Sequence, residues 1–292
     1  MRSYTDLQTY WKCPRLYGFT VLLGYSSPAK PEPMTTGQLV HTALAAHFRG
    51  GDKAVAVAEA INECISRLEL IQDMHERAMA RATVIEASKR AGGLVGRYIA
   101  HWADDYKAIL VEPELTLGDV VCHPDLLAFY QEQRVIVDFK TSHSPDLRWY
   151  DISGQADLYA YVLNEQDRLA SVIYRPVDLI IYDAISEEGI YRHIRPPRLE
   201  AGRRIYLQVA GLIGLAGGPS TSCSLDYPRP DYTCPNRCGF FIPCWLLETD
   251  SEIACFDYLD RNFIKDISEE QVEKDVAEAI AEVREQRHGR ES

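Results

Sequence analysis

The chain has 292 residues, 46% of them hydrophobic, enough to build a substantial core with appended subdomains. Its formal net charge of −12 supplies no general attraction to a polyanion, and the lack of a long apolar run excludes a transmembrane helix. The first residues, Met1-Arg2-Ser3-Tyr4-Thr5-Asp6, lack the apolar stretch of a secretory signal. Eight cysteines, four of them in metal-ligand spacing, then point to a reducing compartment, cytoplasmic or nucleoid-associated, rather than to a disulfide framework.

In chain order, Ser3 to Cys13 reads as a capped helix, with Ser3 as N-cap and Asp6 near the first-turn amides. A loop with Pro28, Pro31 and Pro33 follows. Helices dominate from about 35 to 106, with breaks expected at Gly50-Gly51 and Gly92-Gly93; one opens near Gly37, carries His41 and runs to about Phe48. Strands are expected at about 109–117, 119–130 and 134–141, the last two joined by a turn at Gln131-Glu132-Gln133. The polar run Thr141 to Asp146 is a loop. Positions 149, 152, 156, 159, 160 and 163 are apolar or aromatic, a helical period over 149–163. Strands at about 170–183 and 189–194 and a helix at 198–215 lead to the cysteine-rich segment. The tail over 268–287, apolar at 272, 276, 279, 280 and 283, reads as an acidic amphipathic helix for a partner in this chain or another protein. Its acids concentrate the charge: 248–292 carries 14 Asp or Glu against 6 Lys or Arg, so the other 247 residues are only mildly acidic.

The chemistry lies in the central strands. Side chains alternate along a strand, so Asp138 and Lys140 share one face, and Val137 and Phe139 the other. Pairing with the preceding strand brings Asp125, after Pro124, close to Asp138. Two such carboxylates repel unless a cation joins them, and hard oxygen donors favour Mg²⁺ or Mn²⁺. A lysine beside that cation orients a water and stabilises developing negative charge, the parts needed to hydrolyse a phosphodiester. Taken alone, Asp-x-Lys is also the pattern of a surface ion pair of little worth. Gln155 and Tyr159, four apart on one helix face, are in reach of a phosphate or the lysine, or else Tyr159 is core. His41 is either a packed histidine or a third ligand. The basic stretch Arg192, Arg195 and Arg198 is a candidate phosphate contact or a solvated loop. Cys234, Cys238 and Cys244 cluster, and Cys13 stands far away; the four suit one cluster or metal. Cys64, Cys122 and Cys255 stand alone as ordinary buried thiols.

Gly-x-x-x-His, Pro-Asp, Asp-x-Lys and Gln-x-x-x-Tyr, in that order, resemble the RecB-type branch of the PD-(D/E)XK nucleases, over about Ser3 to Trp245. The one-plus-three cysteines resemble its iron–sulfur members, the CRISPR-associated RecB-like exonucleases and the AddB nuclease domain. The resemblance implies an α/β restriction-endonuclease-like core (αβββαβ, a mixed sheet flanked by helices) with a helical insertion and a cysteine-ligated cluster subdomain. It implies His41, Asp125, Asp138 and the Phe139 carbonyl as ligands of Mg²⁺ or Mn²⁺, Lys140 beside the attacking water, and Gln155 and Tyr159 as positioning groups. A glutamate of the first core strand, Glu114 or else Glu112, completes that set. Cys13, Cys234, Cys238 and Cys244 would hold a [4Fe–4S] cluster, although three residues rather than two separate the first C-terminal pair. The rival set Cys223, Cys234, Cys238 and Cys244 suits a structural Zn²⁺.

The expected organisation is an N-terminal helix and loop (1–33), a helical segment shaping a channel (34–107), the nuclease core (108–215), a cysteine segment (216–247) and an acidic tail (248–292). The expected function is metal-dependent DNA hydrolysis, exonucleolytic by resemblance, on single strands or ends. The alternative is a nucleic-acid-binding or assembly module of a recombination or integration complex that keeps the nuclease fold as scaffold.

Overall fold

A computed structural model of the protein describes residues 1–170, 175–216, 240, 242–244, 246 and 252–265. Its elements are α1 (Tyr4–Lys12), α2 (Pro14–Tyr17), β1 (Tyr25–Ser26), α3 (Glu32–Phe48), α4 (Lys53–Leu68), α5 (Met74–Trp102), β2 (Lys107–Val111), β3 (Leu115–Leu117), β4 (Val120–Cys122), β5 (Leu126–Tyr130), β6 (Gln133–Thr141), α6 (Arg148–Ile152), α7 (Gln155–Leu169), β7 (Leu179–Ile185), β8 (Ile190–Arg195), α8 (Leu199–Ala216), α9 (Glu252–Asn262) and β9 (Ile264–Lys265). The chain divides into two compact units: Met1–Leu7 with Ala29–Ile213, and Gln8–Pro28 with Gly214–Ser292.

The larger unit is built on a five-stranded mixed sheet in the order β2-β5-β6-β7-β8. All neighbours are antiparallel except β6 and β7, whose parallel pairing needs the crossover that α6 and α7 supply. Val135, Val137 and Phe139 of β6 bury on one face against Leu39, Ala43 and Leu44 of α3 and Leu94, Val95 and Tyr98 of α5. The other face of β6 meets α7. This is the helix-flanked α/β architecture that the sequence resemblance implies.

Several boundaries differ from expectation, each for a local reason. Glu112 takes φ 48° and Pro113 lacks an amide, so 109–117 splits into β2 and β3. The run 119–130 also splits: β4 pairs with β3 in a separate ribbon, and His123-Pro124-Asp125 leaves the ladder before β5 begins. The turn between β5 and β6 falls at Gln131 and Glu132, both at positive φ, with Tyr130 paired to Gln133. Gly50, at φ 71°, ends the helix of His41 as expected. Gly92 and Gly93 do not break α5, because they lie in its interior; the break falls earlier, where Asp73 Oδ1 caps α5 by accepting from the Glu76 amide. The helix expected over 149–163 is interrupted at Ser153-Gly154. Ser3 and Asp6 form the reciprocal cap of α1: the Asp6 amide donates to Ser3 Oγ at 3.3 Å and the Ser3 amide to Asp6 Oδ2 at 2.7 Å.

In the smaller unit β1 and β9 pair antiparallel over a cluster of Phe19, Tyr25, Phe240, Cys244, Cys255 and Leu259. Phe19 and Phe240 stack with centroids 5.5 Å apart. The tail over 268–287 lies outside the described residues. Among the described residues no helix is long and apolar enough to cross a membrane.

Candidate active site

β6 sits at the centre of the sheet, and its alternation divides core from chemistry. Phe139 stacks on Phe48 with centroids 5.9 Å apart and meets Tyr98 edge-on. Asp138 and Lys140 take the opposite face; Lys140 Nζ lies 2.6 Å from Asp138 Oδ2. The first turn of α7 packs there. Lys140 Nζ donates to Gln155 Oε1 at 3.1 Å, and Gln155 Nε2 donates to the Tyr159 hydroxyl at 2.7 Å. The i,i+4 spacing on α7 thus links Tyr159 to the lysine through Gln155.

Asp125 immediately precedes β5. The antiparallel register, Leu126 opposite Val137, continues to place it across from Asp138. Asp125 Oδ2 accepts the Phe139 amide at 2.6 Å, and Oδ1 meets His41 Nδ1 at 2.9 Å. His41 reaches this point because α3 runs close to the end of β6. One turn earlier a Cβ on Gly37 would stand 2.9 Å from Thr141 Oγ1, so only glycine permits this approach without a shift.

The electrostatics follow from burial and pairing. Burial works to raise the Asp125 pKa, but His41, Lys140 and the Phe139 amide hold it below the usual carboxylate range. Burial, with the charge of Asp125, pushes the Asp138 carboxyl up, although Lys140 opposes the rise. Burial disfavours the Lys140 ammonium, and Asp138 and Asp125 more than offset it, so its pKa is raised. His41 behaves likewise: burial lowers its pKa, and Asp125 outweighs burial. Burial and the two carboxylates keep the Tyr159 phenol neutral.

Among the described residues no three His, Cys, Asp or Glu side chains form a ready metal-holding group. His41 is paired with Asp125, and Lys140 with Asp138. The donor chemistry nevertheless suits a hard divalent cation. One buried carboxylate, Asp138, and one part-buried, Asp125, face one region, and Asp138 Oδ2 has its ion pair but no aligned hydrogen bond.

The structure therefore brings together His41, Asp125, Asp138, Lys140, Gln155, Tyr159 and the Phe139 backbone. It leaves Glu114 out: β2 ends at Val111, and Glu114 is exposed between β2 and β3, outside the five-stranded sheet. Glu112 pairs with Arg49 instead. The three arginines are not a free phosphate-binding surface. Arg192 Nε donates to buried Asp183 at 2.7 Å and its Nη1 to Asp105 at 2.6 Å, while its guanidinium lies 4.3 Å from the Trp102 ring centroid. Arg195 and Arg198 both bind the fully buried Asp157. Their partners lie 9 to 87 residues away along the chain, where sequence spacing gave no sign of them.

Of the candidate cluster ligands, Cys13 caps α2, its Sγ accepting the Leu16 amide at 3.4 Å, and Cys244 is buried in the smaller unit. Cys223, Cys234 and Cys238 lie outside the described residues. Cys122 and Cys255 are buried thiols, and burial pushes the Cys122 thiol up to about 12.

Sequence reasoning missed two tyrosines at the site. Tyr182 stands beside Asp138 in the parallel register and stacks on Tyr150, centroids 4.8 Å apart. The alternation of β7 carried a signal for Tyr182. Nothing in α6 did so for Tyr150, whose phenol feels both Lys140 and Asp138.

No curated protein shows significant similarity to the chain. One solved structure, titled "Crystal structure of SSO0001", is similar at 12% identity and a TM-score of 0.28, covering 61% of this chain and 74% of that one, a likeness too loose to carry an argument. The family profile of the PD-(D/E)XK nuclease superfamily matches residues 2–240, a span that contains every member of the cluster described above. The chain belongs to the PD-(D/E)XK nuclease superfamily.

Proposed function

We propose that the chain is a metal-dependent deoxyribonuclease, an exonuclease acting on single strands or DNA ends. The observation that carries the reading is the convergence of Asp125, Asp138 and Lys140 where β5 starts and β6 ends, braced by Gln155 and Tyr159. Asp125 and Asp138 would hold Mg²⁺ or Mn²⁺, with His41 and the Phe139 carbonyl as further donors. Such a cation, when bound, supplies Lewis-acid stabilisation of charge on the transferring phosphoryl group. Lys140, held by Asp138 and Gln155, acts as a donor that orients a water or a phosphate oxygen. Gln155, gripping the ammonium, and Tyr159, gripping Gln155, fix its direction.

Single-strand preference has separate support. Trp149 and Ile152 on α6 are 65% and 64% exposed, next to Tyr150, which stacks in beside the site. An exposed indole at that place suits an unpaired base, because stacking serves any base that is not in a duplex. The [4Fe–4S] proposal rests on the motif resemblance and on Cys13 and Cys244 belonging to one compact unit. There the cluster would brace the fold; structural zinc is the rival, and a visible absorption band in anaerobically purified protein separates them.

The test is cleavage of end-labelled single-stranded, duplex and covalently closed circular DNA with Mn²⁺. Stepwise loss from single strands, no cutting of circles and no cutting in chelator support the proposal. Cut circles would make the protein an endonuclease, and binding without metal-dependent cutting would favour the scaffold alternative.

A further inference from the structure

Two of the three arginines, Arg195 and Arg198, converge on the segment that starts α7. Asp157 is 0% exposed and lies in the first turn, between Gln155 and Tyr159. Arg195 Nη1 donates to Asp157 Oδ1 at 2.6 Å and Arg198 Nη2 to Oδ2 at 2.6 Å, with the Arg198 amide on Oδ1 at 2.8 Å. The same two guanidinium groups hold the helix break: both donate to the Ser153 carbonyl, at 3.0 and 2.9 Å, and Arg195 Nε donates to the Tyr150 carbonyl at 3.0 Å. Arg195 also reaches the Tyr182 hydroxyl at 3.3 Å. Glycines admit α8 against this segment. A Cβ on Gly202 would stand 2.2 Å from the Asp157 carbonyl oxygen, and one on Gly154 2.2 Å from Ile205 Cδ1.

Burying a carboxylate with one buried guanidinium and a second that is part-exposed contributes little net stability against an apolar packing of the same volume, but it fixes geometry. What it fixes here is the residue next to the break. Gln155 opens α7, and its amide oxygen accepts from Lys140. We propose that the Arg195–Asp157–Arg198 clasp is a positioning device for Lys140, which acts through Gln155 by locking the first turn of α7. The proposal rests on the nuclease reading for its kinetic half and stands on geometry alone for its mechanical half. Arg198 is the residue to alter, because its side chain is 42% exposed and Arg195 still satisfies Asp157 without it.

Hydrogen–deuterium exchange and steady-state cleavage of a labelled oligonucleotide test the two halves on the intact chain. In Arg198→Ala, amides over 153–160 should exchange faster while the rest of the larger unit keeps its protection. kcat should fall about 10- to 100-fold with KM unchanged, as expected when a lysine is misplaced rather than lost. Arg198→Lys, which keeps one donor, should recover part of the rate. Arg198→Ala combined with Gln155→Ala should be no slower than Gln155→Ala alone, because the clasp works through Gln155. Multiplied losses in the double variant, or unchanged exchange over 153–160, overturn the proposal. A wild type that binds but never cuts removes the nuclease reading instead; local loosening in Arg198→Ala would then still support the lock, and unchanged exchange would overturn it.

Discussion

Arg192→Ala separates a structural arginine from a DNA-binding one. The guanidinium is 10% exposed, donates to Asp183 at 2.7 and 3.1 Å and to Asp105 at 2.6 Å, and lies over the rings of Trp102, Tyr106 and Tyr130 at 4.3, 4.8 and 5.3 Å. Its removal leaves Asp183, 0% exposed, with two donors: the hydroxyls of Tyr98 at 2.8 Å and Tyr106 at 2.7 Å. Breaking a buried pair costs about 3–5 kcal/mol. The two tyrosines still solvate the carboxylate, and that relief is set against a lost cation–π contribution of about 1 kcal/mol, so a total near the lower bound, about 3 kcal/mol, is expected. For a unit of this size that corresponds to a Tm lower by roughly 6–12 °C. Thermal unfolding followed by circular dichroism reads the shift, and fluorescence anisotropy with a labelled single strand reads affinity at a temperature where the variant is folded. Affinity should change less than about twofold, within what a buried structural arginine contributes. An unchanged Tm together with weakened, less salt-dependent binding would refute the argument and restore Arg192 as a phosphate contact.

Three further outcomes are expected. Gly37→Ala forces α3 away from Thr141 Oγ1, 2.9 Å from the new Cβ; it should cost about 1–2 kcal/mol and slow cleavage at least about tenfold, and adding Thr141→Ala should restore both, so a double variant no better than the single one contradicts the packing argument. Trp149→Ala should weaken single-strand binding about tenfold while leaving duplex binding and Tm unchanged, as checked by anisotropy and thermal unfolding; equal losses on both substrates would remove the stacking role. The folded-state pKa of His41 is raised, so in metal-free protein its pairing with Asp125 stabilises fully below about pH 6.5 and is lost as pH rises through the higher folded value; His41→Gln should flatten that part of the Tm–pH curve, and an unaltered curve would show that the pair does not form.

Which parts of this were legible in the sequence depends on how far each interaction reaches. The two-residue alternation of Asp138 and Lys140 against Val137 and Phe139 is local, and so is the four-residue spacing of Gln155 and Tyr159; both appear in the structure as read. The strand breaks at Glu112-Pro113 and His123-Pro124 carried proline signals that β-propensity overrode. The arginines were unreadable for a different reason. Arg192, Arg195 and Arg198 form a basic run only in one dimension; the sheet, the turn after α5 and α7 bring Asp183, Asp105 and Asp157 to them. Glu114 stays apart from the cluster because its strand stops three residues short of it.

Mn²⁺ binding to the purified chain and to Asp138→Asn, followed by titration calorimetry, tests most directly whether the two carboxylates share an ion. Asn removes one charge at a 3% exposed position and conserves its shape. The account predicts a stoichiometric site in the wild type and an affinity at least about tenfold weaker in the variant, with cleavage lost in parallel. Equal Mn²⁺ affinity in the two folded proteins, with cleavage retained, would contradict it.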